Sequence, residues 1–157
     1  MRLKDKVAIV TGGGTGIGKA SAIRFAQEGA SVVVAGRRME KLEQTCAEIE
    51  AFGGTSVAVV TDMREETQVN RLAARTLERF GRIDLLFNCA GVGYSAPYVM
   101  DSTVKTPAKD WDEILNINLR SVFYMCKAVL PTMIERNSGA ILNCSSINGV
   151  IGCGADA

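Results

Sequence analysis

The sequence predicts an α/β fold, a single doubly wound parallel sheet with helices on both faces. Three observations carry that prediction. A short apolar run, Val7-Ala8-Ile9-Val10, passes through a glycine-rich turn directly into a helical pattern within residues 6–21. Four more apolar runs follow, each separated from the next by an amphipathic stretch of helical period. All five runs end in polar or glycine residues: Thr11-Gly12, Gly36-Arg37, Thr61-Asp62, Asn88 to Gly91, and Ser145-Ser146. In an open parallel sheet such ends line one rim, and ligands bind there at the point where the strand order reverses.

Taken in order, 7–10 is β-branched, too short for a helix, and reads as a strand buried on both faces. The helix at 17–28 carries Ile17, Ala20, Ser21, Ile23, Phe25 and Ala26 as a small inward face, and Gly29 closes it. SVVVAG at 31–36 is the second strand. The helix at 37–52 turns Leu42, Cys46, Ile49 and Ala47 inward, and Gly53-Gly54 stops it. TSVAVV at 55–60 is the third strand. The helix at 65–80 has Val69, Leu72, Ala73, Thr76, Leu77 and Phe80 at helical spacing and ends at Gly81. IDLLF at 83–87 is the fourth strand. Residues 92–110 form a long polar connection, whose Tyr94, Pro97, Tyr98, Val99 and Met100 suggest an apolar-walled pocket or, with the same composition, an oligomer contact. A long helix runs from 111 to about 136, with a break expected near Pro131. GAILNCSS at 139–146 is the fifth strand and its exit, and 147–157 is a glycine-rich loop.

The composition excludes several classes of function. Net charge is +1, which gives no electrostatic case for nucleic acid or an anionic membrane. No run approaches a membrane span and the start lacks a leader's apolar stretch, so a cytoplasmic location is the default expectation. There is no histidine, which removes Ser-His-Asp and Cys-His catalysis and the commonest zinc ligand. Five cysteines (46, 89, 126, 144 and 153) form no C-x-x-C pair, so free thiols are expected rather than a disulfide or zinc framework.

The glycine turn sets bare backbone N–H groups and a positive helix end against an anion, the usual way to hold a phosphate. The pattern G-x-G-x-x-G fails, because Ile17 or Ser21 stands where the third glycine belongs. The triphosphate loop G-x-x-x-x-G-K-[ST] nearly fits at 13–20, but Ala20 has no hydroxyl for a magnesium ion. T-G-x-x-x-G-x-G fits in full with Thr11, Gly12, Gly16 and Gly18.

That last pattern resembles the cofactor loop of the short-chain dehydrogenase/reductase family, and the resemblance continues in order along the chain. It takes in Asp62, Asn88-Cys89-Ala90-Gly91 (the family's N-N-A-G with one cysteine), Trp111-Asp112, Asn116-Ile117-Asn118-Leu119 and Ser145-Ser146. It implies a Rossmann-type dinucleotide-binding domain over 1–157, hydride transfer between nicotinamide and a ketone or secondary alcohol, and a homo-oligomer. The 3-oxoacyl-carrier-protein reductase and polyol dehydrogenase types are equally compatible.

By that resemblance Thr11, Gly12, Gly14, Thr15, Gly16, Ile17 and Gly18 belong to the cofactor loop, with the Ile17 N–H facing the pyrophosphate. Asp62 meets the adenine amine and Met63 borders the ring, or Asp62 caps the next helix with Glu65 three residues on. Asn88, Ala90 and Gly91 lie beside the riboses. At the second strand's end an acid would select NAD and an arginine NADP. Here Gly36 leaves room and Arg37 is a bidentate donor, so NADP is expected, with NAD the alternative because Thr15 sits where many NADP-dependent relatives carry a basic residue. The competing reading has Arg37 and Arg38 pairing with glutamates of the next helix.

The family's catalytic set is Asn, Ser, Tyr and Lys. Asn118 matches the asparagine that keeps a water relay at a kink in the long helix, with Asn116 as the alternative. Ser146 matches the serine that holds the substrate oxygen, with Ser145 as the alternative. The Tyr-x-x-x-Lys pair belongs a little over a dozen positions after the serine, past Ala157. The fifth strand's Ala140-Ile141-Leu142 would make an exposed apolar edge, so a longer protein is expected. The other reading is a dinucleotide-binding chain incompetent for hydride transfer.

Overall fold

The computed structural model describes residues 1–93, 97–98 and 101–150. Tyr94, Val99 and Met100 of the expected pocket wall, and Cys153 with the rest of 151–157, lie outside them. Five parallel strands, β1 (Val7–Thr11), β2 (Ser31–Gly36), β3 (Thr55–Val60), β4 (Leu85–Asn88) and β5 (Ala140–Asn143), form one sheet in the order β3-β2-β1-β4-β5. The order reverses between β1 and β4, which is where the glycine turn leaves the sheet.

Alternation along the strands builds two cores. Ala8, Val10, Val32 and Val34 pack beneath α1 (Gly16–Gln27) and α2 (Met39–Glu50), with Ala22, Ala26, Leu42 and Ile49. Ile9, Val33 and Ala35 point the other way, against Val69 and Leu72 of α3 (Glu66–Phe80) and Met125 and Val129 of α5 (Ser121–Glu135). Burial on both faces explains the unbroken apolar runs of β1 and β2. β3 and β5 border the sheet and are more open, with Val60 50% and Leu142 58% exposed.

Asp84 ties the opposite end of the sheet together. It is 4% exposed, and its carboxylate accepts from the Val7 N–H (2.9 Å), Arg82 Nε (2.8 Å) and Arg136 Nη2 (2.8 Å). Burial alone pushes this carboxyl up, but the two guanidinium groups and the Val7 N–H outweigh it and hold it at about 2.

The structure departs from the sequence reading in four places. The long helix begins at α4 (Ala108–Leu115), and its irregularity is a π-turn at Asn116–Arg120 leading into α5. Pro131 sits inside α5 without ending it. Its ring is exposed, and the buried side chains of Met125, Val129 and Met133 hold the helix on the sheet across the one lost backbone bond. Ile17 is 65% exposed at the open end of α1, whose inward face is Gly18, Ala22 and Ala26. On α2 the buried residue is Thr45 rather than Ala47. Finally, a 3₁₀ turn, Ile147–Gly149, stands in the expected terminal loop.

Candidate functional site

The carboxyl ends of β1, β4 and β5 enclose a cleft of ≈ 700 Å³. Its floor is the glycine loop. Gly12 has φ +67°, and a Cβ there would stand 3.0 Å from the Ala90 backbone. A Cβ on Gly18 would run into the Gly12 carbonyl group, 2.7 Å from its carbon. The loop is therefore folded onto α1 on one side and the β4 exit on the other, with no room for side chains. Above it there is space: a Cβ on Gly16 would meet nothing within 4 Å. α1 starts with Thr15 in extended conformation, no side-chain cap and no acid in its first turn. Its uncapped N–H groups and positive end border the cleft, an arrangement that suits a phosphate.

A smaller hollow of ≈ 170 Å³ shares Gly12, Thr15 and Ala90 with the cleft and extends it toward β2 and β3. Gly14, Arg37, Arg38, Lys41, Asp62 and Met63 line it. Asp62 is held by Arg64, whose guanidinium reaches it at 2.6 Å and spans to Glu113 of α4 at 2.9 Å. The Arg64 side chain and backbone N–H, with the nearby Arg37 charge, keep the Asp62 carboxyl below the usual range. The capping alternative for Asp62 is not what forms: the N-cap position of α3 is Glu65, which makes no side-chain cap bond, and the Asp62 carboxylate turns back to accept from the Arg64 N–H at 3.0 Å. Nor do Arg37 and Arg38 pair with the glutamates of α2; no ion pair joins them among the described residues.

Asn118 sits in the π-turn. Its amide both accepts from the Val92 N–H and donates to the Val92 carbonyl, each at 2.8 Å. This clamp fixes the segment leaving β4, and Gly91 passes just beneath it. Ser146 caps the 3₁₀ turn, its Oγ accepting from the Asn148 N–H at 3.2 Å. Asn118, Ser145 and Ser146 thus share one cleft with the glycine loop.

Two residues read as cofactor contacts lie below the wall instead. Thr11 is 2% exposed, and its Oγ1 accepts from the N–H groups of both Cys89 and Ala90 at 3.0 Å. Asn88 is 4% exposed and donates to Asn143 Oδ1 of β5 at 2.9 Å. Both shape the rim through its neighbours. Sequence reasoning also missed Thr45, whose hydroxyl lies 3.1 Å from both the Gly13 and the Lys41 carbonyls and so links the loop to α2, and the bridging role of Arg64. A buried threonine among α2's charged residues was the available signal for the first.

The triphosphate-loop reading is not supported. Lys19, which would have to reach the phosphates, is paired with Glu48 at 2.6 Å, and the Gly13 N–H donates to the Ala35 carbonyl of β2.

A glycine turn from β1 into α1, at the switch point of a doubly wound parallel sheet, defines a Rossmann-type α/β protein. The comparison with known families narrows this: the chain belongs to the short chain dehydrogenase family, whose model matches residues 6–155. It is 36% identical over 152 residues to the 3-oxoacyl-acyl-carrier-protein reductase of Thermotoga maritima, covering 97% of this chain and 60% of that protein. An uncharacterized oxidoreductase of Listeria monocytogenes is 37% identical, over 96% of this chain and 58% of its own length. Among solved structures, levodione reductase superposes with a TM-score of 0.92 at 37% identity, covering 99% of this chain and 60% of that one. NAD⁺-bound xylitol dehydrogenase does so with a TM-score of 0.92 at 33% identity, over 99% and 58%. The chain therefore spans about 60% of the length of these relatives. No helix among the described residues is long and apolar enough to cross a membrane.

Proposed function

We propose that this chain carries the cofactor cleft of an NADP-preferring oxidoreductase acting on a ketone or secondary alcohol, as part of a longer protein. One observation carries the reading. A single continuous cleft joins an uncapped helix end to a basic corner on one side and to Asn118 and Ser146 on the other. A dinucleotide fits this layout: the pyrophosphate over Gly14 to Gly18, the adenosine toward Asp62 and Met63, the nicotinamide toward Ala90, Gly91 and Ser146. When bound, the nicotinamide supplies or accepts the hydride.

The chain's own residues account for positioning. Ser146 Oγ accepts one hydrogen bond from Asn148, so its proton remains available to donate to a substrate oxygen. Asn118 braces the β4 exit through Val92. Arg37, Arg38 and Lys41 concentrate positive charge where an adenosine 2′-phosphate would sit, and this favours NADP over NAD. The names of the relatives, two reductases and a dehydrogenase, favour carbonyl–alcohol chemistry. Exposed Trp111, Leu119, Phe123 and Ile134 along α4 and α5 favour a homo-oligomer.

Arg37→Asp tests the cofactor choice. A charge-assisted hydrogen bond contributes about 1.5–3 kcal/mol, so NADPH affinity should fall roughly ten- to a hundredfold while NADH affinity changes little. Equal losses for both, read by nucleotide fluorescence titration, would remove Arg37 from the phosphate site.

A further inference from the structure

Two of the free thiols line the cleft side by side, just past the ends of β4 and β5. Asn88 of β4 pairs with Asn143 of β5, and the ladder runs one step further, the Cys144 N–H donating to the Asn88 carbonyl at 2.8 Å. Cys89 and Cys144 are therefore the next opposed pair, and both side chains belong to residues lining the same cleft. Adjacent strands lie about 4.8 Å apart, inside the roughly 4.4–6.8 Å Cα separation that a disulfide accepts. Neither cysteine is buried as Cys46 is: Cys89 is half-buried and Cys144 exposed, its thiol making only a long contact of 3.9 Å to the Ser145 carbonyl.

We infer that Cys89 and Cys144 are a redox-sensitive pair, which a two-electron oxidant such as hydrogen peroxide closes into a reversible disulfide that loosens dinucleotide binding. The effect on binding rests on the cofactor reading above; the disulfide itself does not.

The order of events follows from access. Burial pushes the Cys89 thiol up to about 11, and the adjacent Cys144 adds to this, so Cys89 stays protonated near neutral pH. Cys144, the exposed member, is the one the oxidant reaches. Its sulfur attacks one peroxide oxygen, the O–O bond breaks, and a sulfenic acid and one water result. The Cys89 sulfur then attacks the sulfenic sulfur, the S–S bond forms, and the expelled hydroxide takes the Cys89 proton to leave as a second water. Two thiols lose two electrons and one peroxide is reduced to two waters.

Closure acts on the cleft because of what adjoins each sulfur. A disulfide draws the two Cβ atoms to about 3.8 Å, nearer than neighbouring strands hold them. Cys89 is followed by Ala90, whose backbone would lie 3.0 Å from a Cβ on Gly12, so the β4 exit cannot move without disturbing the glycine loop. Cys144 is followed by Ser145 and Ser146. The bond thus pulls on the loop and on the serines at once.

The test uses the purified chain, reduced and then treated with hydrogen peroxide, alkylated, digested without reductant and read by mass spectrometry. In parallel, NADPH affinity is measured before oxidation, after it, and after dithiothreitol. The expected result is a peptide pair joined through Cys89 and Cys144, an affinity loss of about tenfold, and recovery on reduction. In Cys89→Ser and in Cys144→Ser the NADPH affinity before and after peroxide, compared within each variant, should be the same; a variant that still loses affinity on oxidation overturns the pairing. No joined pair, or Cys144 joined to Cys126 or Cys153, overturns the pairing. A joined pair with unchanged affinity overturns the switch. A reduced protein that binds neither NADPH nor NADH would sink the cofactor reading and leave the peptide pair to decide the dithiol.

Discussion

Replacing Asp84 by asparagine keeps the side chain's shape and removes its charge from a site that faces two guanidinium groups and a backbone N–H. The folded-state pKa of about 2 lies below the ordinary 3.8, a depression of about 1.8 units. At about 1.36 kcal/mol per unit, the ionised carboxylate contributes about 2 kcal/mol to stability near neutral pH. Because the pKa is lowered on folding, that contribution is complete above about pH 4 and drains away as pH falls toward 2. Urea denaturation followed by circular dichroism should therefore show Asp84→Asn less stable by about 2 kcal/mol at pH 7. The gap should shrink by about 1 kcal/mol between pH 4 and pH 3, because the unfolded chain's Asp84 carboxyl takes up its proton there while the folded one is still mostly ionised. A parent and variant equally stable at pH 7 would refute the reasoning. So would a gap that holds constant down to pH 3, since it would then reflect shape or packing rather than charge.

Two further predictions concern the cleft. Gly18→Ala places a methyl against the Gly12 carbonyl group, which is backbone and cannot rotate away. NADPH affinity should fall at least about tenfold, or 1.4 kcal/mol, with helix content unchanged; retained affinity would mean the loop is not the phosphate site. In a protein of full family length, Ser146→Ala should lower turnover by roughly a hundredfold or more, as loss of a donor to the reacting oxygen does, with dinucleotide affinity unaffected. If Ser145→Ala did this instead, the serine roles would be exchanged.

What the sequence made legible follows physical range. The five strands and the glycine turn are local features: buried β-branched runs, a Cβ-free loop and a 3.6-residue period announce themselves within a dozen residues. The break in the long helix was misplaced because Pro131 is a local signal. The π-turn at Asn116–Arg120 has no marker in residue type alone; it falls at the kink that the family resemblance placed at Asn118, and forms where Asn118 can reach Val92. The strand ends that carry Thr11 and Asn88 were legible, but the direction of each side chain depends on strands far away in sequence, Thr11 meeting Cys89 and Ala90, Asn88 meeting Asn143. The same holds for Arg64, which acts between Asp62 and Glu113, and for the cysteines, whose pairing needs the register of β4 on β5.

Thr11 also gives the cleft a polarity. Its single hydroxyl oxygen takes up two successive backbone N–H groups at the β4 exit. That wall is thereby stripped of main-chain donors at Cys89 and Ala90 and can offer a ligand only carbonyl oxygens there. Across the gap, the start of α1 offers the reverse, N–H groups without a cap. A guest with anionic groups on one flank and hydroxyls on the other can lie in only one sense between two such walls. A buried threonine thus sets the hydrogen-bonding character of a wall it does not itself line.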